Sequence, residues 1–342
     1  MKIDVFNHLF PRRFYDKYID CPGGPKDIGK RVRAMPTIVD LDARFRVMDE
    51  FGEYCQLISL PMPQIEKLAG PDKSPELARV ANDGMAELVQ KYPHRFPSFV
   101  ASVALNNPEE TVKEAIRAVT DLGACGVQIF SHAAGKPLDT PELFPLFEEM
   151  HKRDVTLLLH PARDASFSDY ATEAKSRYEI WWTFGWPYET SAAMARIVFS
   201  GIFDKCPGIK IITHHMGAMI PYFEGRVGFG WDALGERTSD EDYKPILENM
   251  KPLRPVDYFR KFYADTALFG ATSATKCGLD FFGVDNVLFA SDVPFEPSPG
   301  LYIRETIRCI EALEITPEQK HQIYQGNAEK LLGVAKAVAA AK

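Results

Sequence analysis

Histidine and aspartate side chains follow short apolar runs at distant points of the chain. His8, His160, the pair His214-His215 and Asp292 each come directly after a run rich in β-branched and aliphatic residues. Imidazole nitrogens with one carboxylate suit a divalent ion such as Zn²⁺ or Mn²⁺ and leave coordination positions open for water or a substrate. A single histidine after a strand is more often a hydrogen-bonded structural residue. The hypothesis of a metal site therefore depends on whether these points meet in space.

The alternation of short β-branched runs with longer amphipathic stretches predicts a fold that brings these points together. Eight runs are candidate strands, at residues 2–6, 56–60, 98–104, 126–130, 155–159, 210–213, 262–265 and 287–290. The stretches between them are candidate helices, at residues 41–51, 75–91, 108–122, 141–153, 188–203, 268–282 and 301–311. This α/β pattern predicts a (β/α)8 TIM-type barrel, in which the carboxyl ends of all strands meet at the catalytic end. The rival, a doubly wound sheet, normally has a glycine-rich phosphate turn after its first strand, and residues 6–11 are not such a turn.

Two segments exceed what a bare barrel needs. Residues 12–40 are rich in proline, glycine and charge, and residues 228–258 carry an acidic run and three prolines. We expect both to be insertions that cover one end of the barrel. Since no break in composition separates a second domain, residues 1–342 are predicted to form a single domain.

Composition excludes several classes of protein. The 342 residues are 46% hydrophobic and 25% charged, with 40 basic against 47 acidic side chains and a net charge of −7, so nucleic acid is not an expected partner. The longest apolar runs are shorter than the roughly 20 residues of a membrane span.

The first residues lack the pattern of a signal peptide, and the six cysteines form no C-x-x-C pair. We therefore expect a cytoplasmic protein with reduced thiols.

Several segments together form a pattern known from one family. They are Ile3-Asp4-Val5-Phe6-Asn7-His8, Gly126-Val127-Gln128-Ile129, Leu159-His160-Pro161, Trp186-Pro187-Tyr188-Glu189-Thr190, His215-Met216-Gly217 with Pro221-Tyr222, Asn286 to Phe295, and Gly326-Asn327-Ala328. In this order they resemble the amidohydrolase-2 family, and within it the group of aminocarboxymuconate-semialdehyde and γ-resorcylate decarboxylases. The resemblance covers nearly the whole chain.

The resemblance implies a non-oxidative decarboxylase that needs one divalent metal ion and acts on an aromatic or unsaturated carboxylic acid. By position, His8, His160 and Asp292 resemble the metal ligands. His215 resembles the histidine that acts in acid/base chemistry or water activation, and Asp292 is the other candidate for handling the proton.

Further positions resemble the family's substrate-binding residues. Arg226 resembles the arginine that binds the substrate acid, and Trp182 resembles a pocket aromatic. Arg44 or Arg46 resembles an arginine that a neighbouring subunit can supply, which implies a homo-oligomer, a dimer or larger. Arg163 is a second choice for binding the acid, and His132 is a weaker candidate for the cavity.

The choice between His214 and His215 also has a physical argument. Neighbouring strand residues point to opposite sides, so only one of the two is expected to enter the barrel mouth. His215 shares its side with Thr213 and Ile211, whereas His214 shares its side with Lys210. The apolar set suits the barrel interior, and the pattern favours His215.

One departure from the family pattern concerns the metal. The family usually has His or Glu two residues before the first-strand histidine, and here Phe6 stands there, on the same side as His8. Three consequences are open: a three-ligand site with more room for a chelating substrate, recruitment of His215 as a ligand, or a weakened or absent ion.

Aromatic residues crowd the region after the fifth strand and recur at other strand ends. Trp182 and Phe184 are assigned to the pocket, and Trp181 and Trp186 to packing. Three strand-end aromatics are candidate cavity walls, namely Phe10, Phe130 and Phe295.

Three functions fit these residues. A decarboxylase needs a site that holds a carboxylate, a neighbouring oxygen and a proton donor together, which a metal and an acid/base pair provide. The alternative is a hydrolase or hydratase in which the same side chains activate a metal-bound water. The third is a barrel that has lost its metal, suggested by Phe6.

Overall fold

The computed structural model describes residues 1–21, 27–238 and 240–340. Within them, eight parallel strands form one sheet in chain order: β1 (Lys2–His8), β2 (Tyr54–Ser59), β3 (Ser98–Ser102), β4 (Gly126–Phe130), β5 (Thr156–His160), β6 (Ile211–Thr213), β7 (Tyr263–Asp265) and β8 (Val287–Leu288). Backbone hydrogen bonds from Val5 N to Phe289 O (3.0 Å) and from Asp292 N to Phe6 O (3.0 Å) join β1 to the chain leaving β8. These bonds bring the last strand edge to the first. The predicted (β/α)8 barrel is confirmed.

Helices surround the sheet and follow the predicted alternation. The longer ones are Leu41–Asp49, Ser74–Lys91, Pro108–Thr120, Phe144–Lys152, Gly185–Phe199, Glu224–Asp232, Thr272–Phe282 and Leu301–Glu311. Shorter ones are Arg12–Tyr18, Ile28–Arg33, Ile65–Leu68, Ile180–Thr183, Ile202–Lys205, Lys244–Met250, Pro255–Phe259, Pro317–His321, Asn327–Leu332 and Ala335–Ala340. A short antiparallel ladder pairs His132–Ala133 with Lys136–Pro137.

The apolar cluster inside the barrel is separate from the apolar layer between the strands and the helices. Leu57, Val100, Leu158 and Ile212 contribute to it from four different strands. Helix Asn327–Leu332 closes it at the amino-terminal end, where Thr156 Oγ1 donates to the Leu331 carbonyl (3.0 Å). His160 shares the interior side with Leu158 because side chains alternate along a strand. The apolar interior thus ends at the metal-competent side chains.

The two extra segments lie in different places. Residues 22–26 of the first are outside the described part, but the rest packs over the carboxyl ends of the strands. Phe10 N donates to Ile38 O (2.8 Å), and Arg31 donates to the carbonyl of Glu296 (2.5 Å). In the second segment, the Tyr258 hydroxyl donates to Asp204 (2.8 Å), which precedes β6. Helix Pro255–Phe259 also directly precedes β7. That part of the second segment therefore lies beside the amino-terminal ends of the strands.

Glu66, in helix Ile65–Leu68, is a buried carboxyl group that the fold tolerates at a cost. Both of its side-chain oxygens are buried without a hydrogen-bond partner among the described residues, and burial raises its pKa to about 8. The folded state therefore keeps a proton that the unfolded chain releases near pH 4.5. Folding stability falls as pH rises between these two values.

Replacing this carboxyl by a neutral amide should remove that pH dependence. On going from pH 5.5 to pH 8.5, we expect the free energy of unfolding of Glu66→Gln to rise relative to that of the natural chain by about 3 kcal/mol. Urea denaturation at the two pH values measures the change. The exposed Glu76→Gln is the matched control, and an equal pH response in Glu66→Gln and the natural chain would contradict the prediction.

Candidate metal centre and active site

Four buried side chains converge at the carboxyl end of the barrel. His8, His160, His214 and Asp292 each offer one ligand atom, and these atoms lie within 4.8 Å of one another. The Oδ1 atom of Asp292 is 3.1 Å from His8 Nε2 and 3.4 Å from His214 Nε2. His8 lies on β1 and His160 on β5. His214 and Asp292 lie in the segments that follow β6 and β8. The sequence-predicted points therefore do meet.

The other ring nitrogen of each imidazole is fixed by a hydrogen bond. Ser59 Oγ donates to the Asn7 carbonyl (2.8 Å), so it accepts from His8 Nδ1 (3.2 Å). His160 Nδ1 donates to the Pro161 carbonyl (2.6 Å). In the neutral rings, the Nε2 atoms of His8 and His160 therefore present lone pairs to the centre.

His214 has the partner that metal-bound histidines usually have. Its Nδ1 lies 2.5 Å from Asp265 Oδ2, and a carboxylate behind an imidazole orients the ring and raises its basicity. His8 Nε2 is buried without a hydrogen-bond partner among the described residues. An orphaned lone pair beside two other imidazoles and a carboxylate fits a divalent cation, and this donor set suits Zn²⁺ or Mn²⁺.

The charges of the centre depend on burial and on Asp292. Burial alone would raise the pKa of Asp292, but the adjoining imidazoles of His214 and His215 hold it well below its usual value. Burial lowers the pKa of His8, His160 and His215. Burial also acts on His214, but the carboxylates of Asp265 and Asp292 outweigh it and raise the pKa to about 9.

The expectation that only one of His214 and His215 enters the barrel mouth was wrong. His215 Nε2 is 3.6 Å from Asp292 Oδ2, and the two histidine rings are 3.7 Å apart. β6 ends at Thr213, and His215 and Met216 both have a positive φ of 54°. Strand alternation no longer applies in this left-handed turn, so both imidazoles face Asp292.

The turn requires glycine at position 217. Gly217 has φ +72°, and a Cβ atom there would lie 2.6 Å from Phe282 Cζ. The turn that aims His215 is therefore both left-handed and tightly packed against helix Thr272–Phe282.

Phe6 occupies the interior next to the centre. Its ring is fully buried, stacks on His214 at 4.1 Å and 18°, and lies 5.7 Å from the rings of His8 and His160. The imidazole that joins the other ligand candidates is His214, whereas recruitment of His215 was one of the three consequences left open by the sequence.

The assignment of Arg44 to substrate binding disagrees with the structure. Arg44 is buried, and its guanidinium donates to Gln56 Oε1 (2.8 Å), Asn7 Oδ1 (2.8 Å) and the carbonyl of His8 (2.7 Å). Burial is the main cause that lowers its pKa, to about 10. Because these donors are already engaged inside its own chain, Arg44 supports the end of β1 instead of binding a substrate.

An aromatic cavity of about 270 Å³ opens beside His215. Its walls include Trp182, Trp186, Leu268 and Phe269. Trp186 is buried as expected of a packing residue, but it also lines this cavity and its ring is 5.6 Å from that of His160. The cavity thus borders His215 and Trp186, two residues that lie close to the candidate ligands.

The other aromatic candidates lie in different surroundings. Phe184 is 70% exposed and is not among the described residues lining this cavity, so the structure does not support its assignment to the pocket. Phe295 and Phe130 have ring centroids 5.7 Å and 5.3 Å from His8 and His160. Phe10 packs on Phe14 and Tyr18 at 5.4 and 4.8 Å, and Trp181 is buried.

Arg226 lies apart from the metal-competent cluster within this chain. It is exposed on helix Glu224–Asp232 and lines a larger cavity of about 820 Å³ with Tyr188, Phe223 and Trp231. His132 and Arg163 line a third cavity, of about 300 Å³. Within this chain, Arg226 and His215 therefore line different cavities.

Two residues that the sequence analysis did not select contribute to the site. Asp265 ends β7 and therefore satisfies the same strand-end rule that selected Asp292. It also accepts hydrogen bonds from the backbone of His215 (3.1 Å) and Ala267 (3.0 Å). Phe269 has φ 54° and lies 5.4 Å from the His215 ring, a placement that no sequence signal indicated.

The fold and the site define this protein as a (β/α)8 barrel with a metal-competent His/Asp cluster at the carboxyl ends of its strands. The model of the amidohydrolase family matches residues 3–334, and the chain belongs to that family. It is 32% identical to a γ-resorcylate decarboxylase of Polaromonas sp., over 85% of this chain and 86% of the relative. It is 27% identical to a 2-amino-3-carboxymuconate-6-semialdehyde decarboxylase of Dictyostelium discoideum, over 98% and 92%.

A solved structure of similar architecture also carries a metal. A dihydroxybenzoic acid decarboxylase of Polaromonas sp., with bound manganese and 2-nitroresorcinol, superposes with a TM-score of 0.77 at 28% identity, covering 98% of each chain. In the described part of the present chain, no helix is both long and apolar enough to span a bilayer.

Loss of the carboxylate behind His214 should weaken the metal centre. We expect Asp265→Asn to lower the affinity for Mn²⁺ or Zn²⁺ by about 10- to 100-fold, because one amide oxygen cannot replace both carboxylate acceptors. Competition with a chelator of known affinity measures the change. Asp280→Asn, on the exposed side of helix Thr272–Phe282, is the control, and unchanged affinity in a folded Asp265→Asn protein would show that Asp265 does not act through His214.

Proposed function

We propose that this chain is a divalent-metal-dependent, non-oxidative decarboxylase of an aromatic or unsaturated carboxylic acid. The observation that carries the proposal is the convergence of His8, His160, His214 and Asp292 beside an aromatic cavity. The decarboxylases among its relatives support the same class of reaction. Trp182 and Phe269 border the cavity and offer aromatic walls to a flat acid.

We assign His8, His160 and Asp292 as metal ligands, as the sequence resemblance suggests, and add His214. Zinc or manganese is the proposed ion, and the manganese of the related structure favours manganese. A divalent ion held by these residues would supply Lewis acidity to the carboxylate and a neighbouring oxygen of the substrate.

The protein side chains handle the proton. Removing CO₂ from an sp² carbon leaves an electron pair that needs an acceptor, and protonation of that carbon first provides one. The carbon–carbon bond then breaks, CO₂ leaves, and conjugation returns. We assign the delivery of this proton, which the site takes up from solvent, to His215 with Asp292 beside it, because Nε2 and Oδ2 are 3.6 Å apart and His215 lines the cavity.

The cavity walls support substrate selection by shape. Trp182 and Phe269 lie 6.3 Å apart between ring centroids, and Trp182 and Trp186 lie 6.4 Å apart. Such walls hold a planar body by offset and edge contacts. Phe295, near His8, is proposed as a further substrate contact on the metal side.

We also propose that the chain forms a homo-oligomer, with a dimer as the simplest form. Tyr222 and Phe229 are 79% and 78% exposed, and Arg226 lies between them in sequence beside the 820 Å³ cavity. An apolar exposed face of this kind is typical of a protein interface.

A reducing, cytoplasmic compartment is proposed because all six cysteines are free.

The reaction class can be tested with a substrate panel. Hydroxybenzoates, heteroaromatic acids and unsaturated dicarboxylates are offered to protein of defined manganese or zinc loading. We expect CO₂ release from at least one flat acid. Addition of water without CO₂, detected by product mass, would favour a hydrolase or hydratase instead.

The metal ligands can be tested by substitution. We expect His160→Ala to lose bound metal and to lower CO₂ release by more than about a hundredfold. Loss of a hydrogen-bond partner behind a ligand costs up to about a hundredfold, and loss of the ligand itself should cost more. Elemental analysis and CO₂ assays measure both losses. The exposed His321→Ala is the control, and full activity in His160→Ala would remove the assignment.

The oligomer can be tested separately. We expect the natural chain to be a dimer or larger by light scattering and Phe229→Lys to dissociate at least about tenfold more readily, because a charge would be buried in the interface. Tyr178→Lys, also on an exposed aromatic residue, is the control. A monomeric natural chain would contradict the proposal.

A further inference from the structure

The chain that leaves β5 is joined to the next long helix by an ion pair. Arg163 comes three residues after His160, and its Nη1 atom is 2.8 Å from Oε1 of Glu189 in helix Gly185–Phe199. The two side chains are only 19% and 14% exposed. Both charged groups are therefore largely withdrawn from water, where an ion pair is stronger than on an open surface.

The same segment also holds the indole ring of Trp186. The Nε1 atom of this ring donates a hydrogen bond to the carbonyl oxygen of Arg163 (3.0 Å). The neighbouring residue, Gly185, lies directly against the Arg163 side chain, because a Cβ atom at position 185 would be 2.5 Å from Arg163 Cδ. The first turn of the helix thus contacts both the backbone and the side chain of Arg163.

Trp186 lies where its position affects two parts of the site. Its ring centroid is 5.6 Å from that of His160, and the residue also lines the aromatic cavity beside His215. Trp186 is only 6% exposed, so its ring is packed on most sides. Because packed side chains leave little free space, a shift of this ring would change the shape of the cavity.

The contacts of Arg163 differ from those expected of a residue that binds the substrate acid. Arg163 is the second choice of the sequence analysis for that role, but it lines a different cavity from His215. Its guanidinium already has the carboxylate of Glu189 as a partner, and its Cζ atom lies 4.9 Å from the centroid of the Phe167 ring. These contacts hold the side chain of Arg163 within its own chain.

We propose that Arg163 and Glu189 are positioning residues for the flat acid, because their ion pair holds Trp186 against His160 and in the cavity wall. Neither residue touches the substrate in this arrangement. Loss of the pair should therefore weaken binding of the acid without removing the metal. The inference rests on the proposed function for the identity of the ligand, but not for the position of Trp186.

Near-ultraviolet circular dichroism reports the position of Trp186 without any substrate. Trp186 lies 6.1 Å from Trp181 and 6.4 Å from Trp182 between ring centroids, so the tryptophan signal depends on the mutual orientation of these rings. Trp186→Phe defines the part of the signal that comes from Trp186. We expect Glu189→Gln to lose much of that part, and the control Glu50→Gln, which breaks an exposed ion pair, to keep it. An unchanged signal in Glu189→Gln would overturn the proposal.

Steady-state kinetics with an acid from the panel separates positioning from direct binding. We expect Arg163→Met and Glu189→Gln each to raise KM by about tenfold, with kcat changed less and the bound metal retained. The double variant should be no worse than either single variant, because both substitutions remove the same contact. If Arg163 bound the acid directly, Glu189→Gln would free its guanidinium and would not raise KM. That result would overturn the proposal, as would loss of metal from Glu189→Gln.

The same variants distinguish failure of this inference from failure of the proposed function. If no acid in the panel releases CO₂, the proposed function fails, and calorimetric titration of the metal-loaded protein with benzoate replaces the measurement of KM. Benzoate binding that is about tenfold weaker in both Arg163→Met and Glu189→Gln supports the positioning role. Benzoate affinity equal to that of the natural chain overturns it.

Discussion

The buried carboxylate of Asp292 is the constraint on which the catalytic end depends. It is 4% exposed and lies within 3.6 Å of three imidazoles, and an ionised carboxylate without such partners would cost several kcal/mol. Its backbone N–H donates to the Phe6 carbonyl, so the bond that brings β8 to β1 also positions the charge. The same hydrogen bond therefore helps to close the barrel and positions a carboxylate of the metal centre.

A polar layer beneath this centre joins the same strands. Asp4 on β1 accepts from the Tyr54 hydroxyl of β2 (2.5 Å) and from the backbone of Ser291 (3.1 Å), next to Asp292. Burial raises the pKa of Asp4 to about 6 in spite of these hydrogen bonds. Arg44 completes the layer by donating to the carbonyl of His8. These contacts fix the ends of β1 and β8 before any ligand is considered.

The sequence predicted the barrel and the convergence of its strand ends because strand periodicity and the strand-end rule are local patterns. It failed where the backbone leaves the strand. His215 and Phe269 both have positive φ, which neither alternation nor residue type signals, so the approach of both His214 and His215 to Asp292 and of Phe269 to His215 was missed. The position of Arg44 could not be predicted either, since its partners Asn7 and Gln56 come from two strands and become neighbours only in the folded barrel.

Phe6 and His214 are best understood together. The family pattern places a ligand-type side chain where Phe6 stands, and the structure brings an additional imidazole, His214, to the same centre from across the barrel. Phe6 stacks on that imidazole at 4.1 Å, which excludes water from one side of the ring, while Asp265 holds its Nδ1. An apolar ring and an anchored imidazole thus lie side by side at the centre. The centre keeps four donors, and the aromatic surface makes each donor's orientation depend on packing as well as on hydrogen bonds.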